Sequence, residues 1–340
     1  MVTIRDVAAV AGVSPTTVSH ALNGKGRVAP DTRERVLEAA NRLGYRASRA
    51  GRALRTRRSG TIAFLVGWLQ ASSNQHEWLA LDIYMQQASA AARAAFEHDI
   101  CVLLSPPIAT EQELRALGVD GGIVCDPVRD DLRVGLFEAV GLPVVTIERV
   151  PGRPDHRWYV RADNEESSRV LLDHLAEAGA ERIAMLRFEA DMAWVRESEA
   201  AYLEWCQEHG REPIIVPTSV ESLENSAYRT ACRLLGGPDP PDAFFASAER
   251  FASGVLRAAH ERGLRVPEDL LVATGIDGYD SREAVPAVTA VDVQPALQGA
   301  IAAELLIARI KGEEPEAPVI TPYRFHVRAS TQGGRVSVAT

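Results

Sequence analysis

The side chains able to do chemistry crowd the start of this 340-residue chain, and the chemistry they suit is recognition rather than catalysis. Thr16, Thr17 and His20 fall on the outer face of a short helical pattern whose Val18, Ala21 and Leu22 point inward. Residues 1–60 hold twelve Lys and Arg against four Asp and Glu, a surplus of eight positive charges. The whole chain carries −9, so the remainder carries −17. A basic head on an acidic body predicts that the head meets a polyanion while the body keeps clear of it.

Enzymatic signatures are missing from the sequence. Gly24-Lys25-Gly26 has the wrong spacing, and the wrong helix after it, for a phosphate loop. There is no Gly-x-Ser-x-Gly elbow, His-Glu-x-x-His or Cys-x-x-Cys. Glu165-Glu166 and Glu197-x-Glu199 read as charge on helix surfaces. The four cysteines, Cys101, Cys125, Cys206 and Cys232, are far apart within apolar segments and read as free core thiols of a reducing cytoplasm. No apolar run approaches the ~20 residues that cross a membrane, and Met1 leads directly into a helix rather than a signal peptide. The expectation is therefore a cytoplasmic protein, not an enzyme, with no cofactor and no membrane partner.

The elements that must hold the polar face are short and clearly punctuated. Thr3 and Asp6 have capping-box spacing ahead of an apolar stripe of Ile4, Val7, Ala8 and Ala11. Gly12 ends that helix, Val13 fills the turn, and Ser14 caps a second helix that begins at Pro15. Two short helices joined by a tight turn form a helix-turn-helix. A third helix is expected over Asp31–Arg42, with Val36, Leu37, Ala40 and Leu43 inward and Gly44 as its cap.

Beyond Thr61 short apolar runs alternate with helical patterns. Strands are expected at Thr61–Val66, Ile100–Leu104, Gly122–Cys125, Pro143–Ile147, Arg182–Leu186, Ile214–Val216, Ala243–Ala246 and Leu270–Thr274. Helices are expected at Tyr84–Phe96, Glu111–Leu117, Leu132–Val140, Glu165–Glu177, Val195–His209, Ser222–Leu235 and Glu249–Glu261. Apolar strands alternating with helices imply parallel sheets covered on both faces, here in two doubly wound lobes.

The run from Thr3 to Gly24, with Val28, Thr32–Val36 and Leu43-Gly44-Tyr45, closely resembles the headpiece of the lactose-repressor (LacI/GalR) family of bacterial transcription regulators. The resemblance implies a second helix in the major groove of double-stranded operator DNA and a homodimer on a near-palindromic site. Thr16 and His20 would then read base edges, with Pro15 against a thymine methyl, while Thr3, Ser14, Thr17, Ser19 and Asn23 contact phosphates. The arginine-rich stretch Arg46–Gly60 is too short and too charged to be helical alone, and is expected to order on DNA. In the family this stretch is a hinge helix whose leucine wedges into the minor groove. Leu54, followed by Arg55, stands at that position. Ala50 and Gly51 depart from the family pattern and predict weaker hinge pairing.

The resemblance continues through Asp163-Asn164, His174-Leu175, Gly179, Arg182-Ile183-Ala184, Gly275-Ile276-Asp277 and Pro286-Ala287-Val288-Thr289. It implies a type I periplasmic-binding-protein-like core with an effector in the cleft between lobes. The fold class expected is an all-α helix-turn-helix headpiece (1–46), a hinge (47–60) and an α/β core (61–340). Lobe 1 would take about 61–160 and 291–321, and lobe 2 about 161–290 and 322–330. Thr289–Asp292 and helix Pro295–Lys311 would return to the first lobe, and Tyr323–Arg328 would close the second.

Position by position, Asp277 matches the family aspartate that binds effector hydroxyls, the alternative being a capping aspartate. Asp82 and Tyr84 fall where ligand-stacking aromatics belong, the alternative being N-capping and core packing. Ser198 occupies the place of the family's clamping arginine. Arg196 could reach the cleft from the same turn, or serve as a solvated or lobe-bridging arginine. Ala248-Glu249 replaces a common Asn-Asp. The reading is a dimeric repressor controlled by a small molecule, probed first with sugars and related metabolites. Two alternatives remain: a ligand-binding protein without operator function, or an architectural DNA binder with a vestigial pocket. The tail Gln332–Thr340 has no leucine heptad, which favours a dimer over a tetramer.

Overall fold

The computed structural model describes residues 2–22, 26–45, 58–66 and 82–333. It divides into two compact units, Met1–Gly60 and Thr61–Thr340.

In the first unit α1 (Ile4–Ala11), α2 (Pro15–Leu22) and α3 (Pro30–Leu43) enclose a small core of Val7, Ala8, Ala11, Val18, Ala21, Val36, Ala39 and Ala40. The Asp6 carboxylate accepts from both the Thr3 amide (2.7 Å) and the Thr3 hydroxyl (2.8 Å). Ser14 Oγ accepts from the Thr17 amide at 3.1 Å, capping α2. Gly12 and Gly44 end α1 and α3 at φ of 67° and 62°, the left-handed conformation that favours glycine. Leu37, expected inward, is 44 % exposed, and Ala39 takes its place in the core. At 100° per residue Val36, Ala39, Ala40 and Leu43 form one stripe, and Leu37 lies on its flank.

The second unit holds two six-stranded sheets. The first has the order β11-β5-β4-β3-β1-β2 and is parallel throughout. Its strands are β1 (Thr61–Leu65), β2 (Cys101–Leu104), β3 (Gly122–Cys125), β4 (Val144–Ile147), β5 (Tyr159–Ala162) and β11 (Val319–Thr321). Its helices are α4 (Asp82–Glu97), α5 (Glu111–Leu117), α6 (Leu132–Ala139) and α12 (Pro295–Lys311). The second sheet has the order β12-β10-β9-β8-β6-β7 and is parallel except for β12. It contains β6 (Ile183–Phe188), β7 (Ile214–Thr218), β8 (Ala243–Ala246), β9 (Leu271–Thr274), β10 (Thr289–Asp292) and β12 (Arg324–His326). Its helices are α7 (Asn164–Glu177), α8 (Ala193–Glu208), α9 (Leu223–Leu235), α10 (Glu249–Glu261) and α11 (Tyr279–Glu283).

Two strands were not legible in the sequence. β5 and β11 are short, and they lie side by side with Val319 opposite Val160. One expectation is corrected: Thr289–Asp292 does not return to the first lobe. It pairs parallel with β9, Thr289 opposite Ala273, and the chain crosses only after Asp292. Helix α12 then packs on α4, where Gly299 has no room for a side chain. A Cβ there would lie 2.1 Å from the Gln87 carbonyl oxygen. No helix among the described residues is long and apolar enough to cross a membrane.

Candidate functional site

On α2 the exposed residues are Pro15, Thr16 and His20, while Thr17 and Ser19 are half-buried. Ser14 and Thr3, at the starts of α2 and α1, are exposed. The Thr17 hydroxyl shares a hydrogen bond with Ser14 Oγ at 2.9 Å, so both hydroxyls are fixed at the helix start. Gly26, at φ 73°, lets the backbone pass beside His20; a Cβ there would sit 2.8 Å from His20 Nδ1. The face that buried Val18 and Ala21 leave outward is therefore small, polar and held in place. Asn23, Leu54 and Arg55 lie outside the described residues, as do Ala50 and Gly51.

The second candidate site opens between the two sheets, at the carboxyl ends of their strands, where open α/β sheets receive ligands. From the first sheet Asp126 follows β3, and Ile147 and Glu148 end β4. From the second come Phe188, Ser247 and Gly275-Ile276 at the ends of β6, β8 and β9. Tyr84 and Gln87 of α4, Asn164, Ser167 and Ser168 of α7, and Trp194 and Ser198 of α8 complete the wall. The space amounts to about 790 Å³ including the part open to solvent.

Asp126 and Glu148 occupy equivalent places at the ends of adjacent strands, and both have positive φ, 43° and 80°. Non-glycine residues in that region cost about 1–3 kcal/mol each and cluster at binding sites. Tyr84 donates to Asp126 Oδ2 at 2.5 Å. Burial raises the Asp126 pKa to about 6 despite that hydrogen bond, the nearby Arg133 and the Trp194 indole. Glu148 is 7 % exposed, and burial together with the charges of Asp126 and Glu197 holds its pKa well above the usual carboxylate range. The Asn164 amide donates to Glu148 (3.1 Å) and to Glu197 (2.9 Å).

Glu197 was expected on a helix surface; it is 5 % exposed, bonded to Arg149 at 2.7 Å and Arg161 at 3.3 Å. A carboxylate can leave water at that helix position because two arginines from the first sheet meet it there.

The residues expected to hold an effector divide into two groups. Tyr84 lines the cleft, with its hydroxyl on Asp126. Asp82 instead pairs with Arg282 of α11 at 2.7 Å, tying the two lobes. Asp277 is 8 % exposed and already occupied by Arg328 (2.7 and 2.9 Å), Ser281 (2.8 Å) and Arg282 (3.3 Å). Burial alone would raise its pKa, but Arg328, Ser281 and Arg282 outweigh burial and hold it below the usual range. Arg196 is 55 % exposed and bonded to Asp191, which also takes Arg129 of the first lobe at 2.9 Å. Arg196 does not line the cleft, whereas Ser198 does.

Sequence reasoning missed Asp126, Glu148 and Asn164. For Asp126 and Glu148 the signal was present: each is the first polar residue after an apolar strand, where the cleft must be, whereas Asn164 follows β5, which the sequence did not reveal. Among the described residues no group of three or more His, Cys, Asp or Glu could hold a metal ion.

Residues 3–48 match the model of bacterial regulatory proteins of the lacI family, and residues 172–331 that of a periplasmic binding protein-like domain. The chain is 32 % identical to the HTH-type transcriptional regulator CelR of Thermobifida fusca, over 97 % of this chain and 98 % of that one. It is 30 % identical to a ribose operon repressor of Halalkalibacterium halodurans, over 99 % of each. A solved CelR–cellobiose complex superposes with a TM-score of 0.70 at 30 % identity, covering 97 % of this chain and 100 % of that one. A lac repressor dimer bound to operator and an anti-inducer gives 0.78 at 25 % identity, with 97 % and 99 % covered.

Proposed function

Because the chain belongs to the lacI family of bacterial regulatory proteins, we propose that it is a cytoplasmic, homodimeric repressor whose hold on a near-palindromic operator is set by a small polyhydroxylated effector. One observation carries this reading: the same chain has a helix-turn-helix with an exposed polar face and a polar cleft walled by Asp126, Glu148, Asn164 and Ser198. The cellobiose in the CelR complex and the operator under the lac repressor dimer support it by analogy.

In this reading Thr16 and His20 read base edges, and Pro15 meets a thymine methyl. Thr3, Ser14, Thr17, Ser19 and Asn23 set register on phosphates. Leu54 and Arg55 enter the minor groove when the linker orders. The effector touches Asp126, Glu148, Asn164 and Ser198, with Tyr84 and Phe188 against its apolar faces. Asp82, Arg196 and Asp277 act behind the cleft, through the arginine and aspartate ties that join the lobes. The effector works by its different affinity for two lobe arrangements, only one of which lets the paired hinges form.

The test is a titration of the full chain onto duplex DNA from upstream of its own gene, over a range of salt, with and without sugars. Expected is sequence-specific binding whose affinity falls steeply with salt, about 0.9 in logarithmic slope per phosphate neutralised. A sugar that raises the melting temperature should also change DNA affinity. Specific binding indifferent to every ligand would favour the architectural alternative. Ligand binding without specific, salt-dependent DNA binding would favour a protein without operator function.

A further inference from the structure

The charge balance of the cleft bears on which effectors it admits, an argument that rests on the effector reading above. Two carboxyl groups, Asp126 and Glu148, line the cavity, and a third, Glu197, stands behind Asn164. No Lys, Arg or His is among the described residues that line it.

The arginines nearby are engaged elsewhere. Arg133 binds Asp131 and the carbonyls of Val66, Cys125 and Asp126. Arg149 and Arg161 both bind Glu197. Four aromatic side chains, Tyr84, Phe188, Trp194 and Phe245, are among the residues that line the cavity, and aromatic rings attract cations. An anionic ligand would place a further negative charge against two buried carboxyls with no guanidinium to receive it. A cation there gains a desolvated, charge-assisted pair.

We propose that the effector is a cationic polyol, an amino sugar or a related hydroxylated amine, whose ammonium group is received by Asp126 and Glu148 and whose hydroxyls are received by Asn164 and Ser198. The electrostatics of the cleft agree. Burial first, then the charges of Asp126 at the end of β3 and Glu197 of α8, raise the proton affinity of Glu148, against the Asn164 amide of α7 and Arg161 of β5; Arg149 meets Glu197 from the far side. Asp126 faces Tyr84 of α4, Arg133 of α6 and Trp194 of α8. In the free protein these carboxyls hold protons more tightly than carboxyls in water, and an ammonium ion favours their ionised forms. Amine binding therefore releases protons, and amine affinity rises from pH 5 to pH 7.

The experiment is calorimetric titration of the full chain with matched probes: glucosamine, galactosamine and mannosamine, the corresponding neutral hexoses, their 6-phosphates, and cellobiose. Each is measured at pH 5.5 and 7, in two buffers of different ionisation enthalpy that count protons. At least one amine should bind ten-fold or more tightly than its neutral partner at pH 7, with proton release, and the 6-phosphates should not bind. In E148Q and in D126N, each checked for an intact melting transition, the ratio of amine to neutral-sugar affinity should fall below about three-fold. A neutral or phosphorylated sugar binding as tightly as every amine, or no response to any amine, overturns the proposal. If a neutral sugar then shifts DNA affinity, the repressor reading survives; if no ligand does, that reading fails as well.

Discussion

Tyr84 donates its hydroxyl to Asp126 Oδ2 at 2.5 Å, joining the first turn of α4 to the end of β3 inside the cleft. Tyr84 is 2 % exposed, and burial, before the Asp126 charge, pushes its own pKa well up, so the phenol stays a donor at any ordinary pH. Tyr84→Phe leaves a buried carboxylate short of one donor. The expected cost is about 1.5–3 kcal/mol, the range for a hydrogen bond to a charged group, read from urea unfolding midpoints. An unchanged midpoint would mean that the hydroxyl is not supporting Asp126.

On the DNA side, two substitutions should behave differently. His20→Ala should relax preference at one base pair by about 1–3 kcal/mol, because a base-edge contact carries sequence information. Arg55→Ala should weaken specific and random duplexes nearly equally and make the salt slope shallower by about one. Competition binding with single-base operator variants at fixed salt separates the two, and identical effects on all sequences would refute the assignment of α2 as the reading helix.

Arg282 joins Asp82 of the first lobe to Asp277 of the second. Its side chain is 40 % exposed, so solvent screening keeps its contribution to global stability small, under about 1 kcal/mol. Its leverage is on lobe geometry. Arg282→Ala should leave the melting temperature nearly unchanged while speeding amide hydrogen exchange at the start of α4 and in α11, with altered effector coupling. A large loss of stability without those local changes would contradict the tie.

Stability should carry a pH signature of the buried acids. Burial raises the Asp126 pKa to about 6, and burial with the Asp280 and Asp82 charges raises that of Glu249 to about 7. A carboxyl whose folded pKa is raised contributes stability below its unfolded value that is lost as pH climbs through the folded value. The window is roughly pH 4–7, and the contribution is at most about 2–3 kcal/mol per group. His156 and His174, whose pKa values are lowered by burial, give the opposite slope in part of that window. The difference between variant and wild type is therefore the observable: unfolding midpoints for E249Q and D126N at pH 5, 6 and 7 should show a gain over wild type that grows with pH. A constant offset would show that these groups ionise as they do in water.

Punctuation and period in the sequence determined the local structure. Helices Glu111–Leu117 and Glu249–Glu261, and strands Gly122–Cys125 and Ala243–Ala246, begin and end where apolar spacing, caps and glycines place them. The helix-turn-helix was legible for the same reason: Thr3, Gly12, Ser14, Pro15 and Gly44 act on backbone groups only a few residues away. The family was legible because that local pattern is dense and ungapped.

Tertiary structure alone decided which charges are buried and which strands are neighbours. Glu197 looked like solvated helix charge until Arg149 and Arg161, 48 and 36 residues earlier, arrived to neutralise it. Asp277 looked free for a ligand, yet Arg328, 51 residues later, occupies it. Thr289–Asp292 could join either sheet by its own residues, and its hydrogen bonds to β9 settled the matter. A carboxylate's availability depends on cations that folding brings beside it, and a strand's place depends on the partner that completes its ladder. Both are contacts across long sequence separations, which spacing along the chain does not encode.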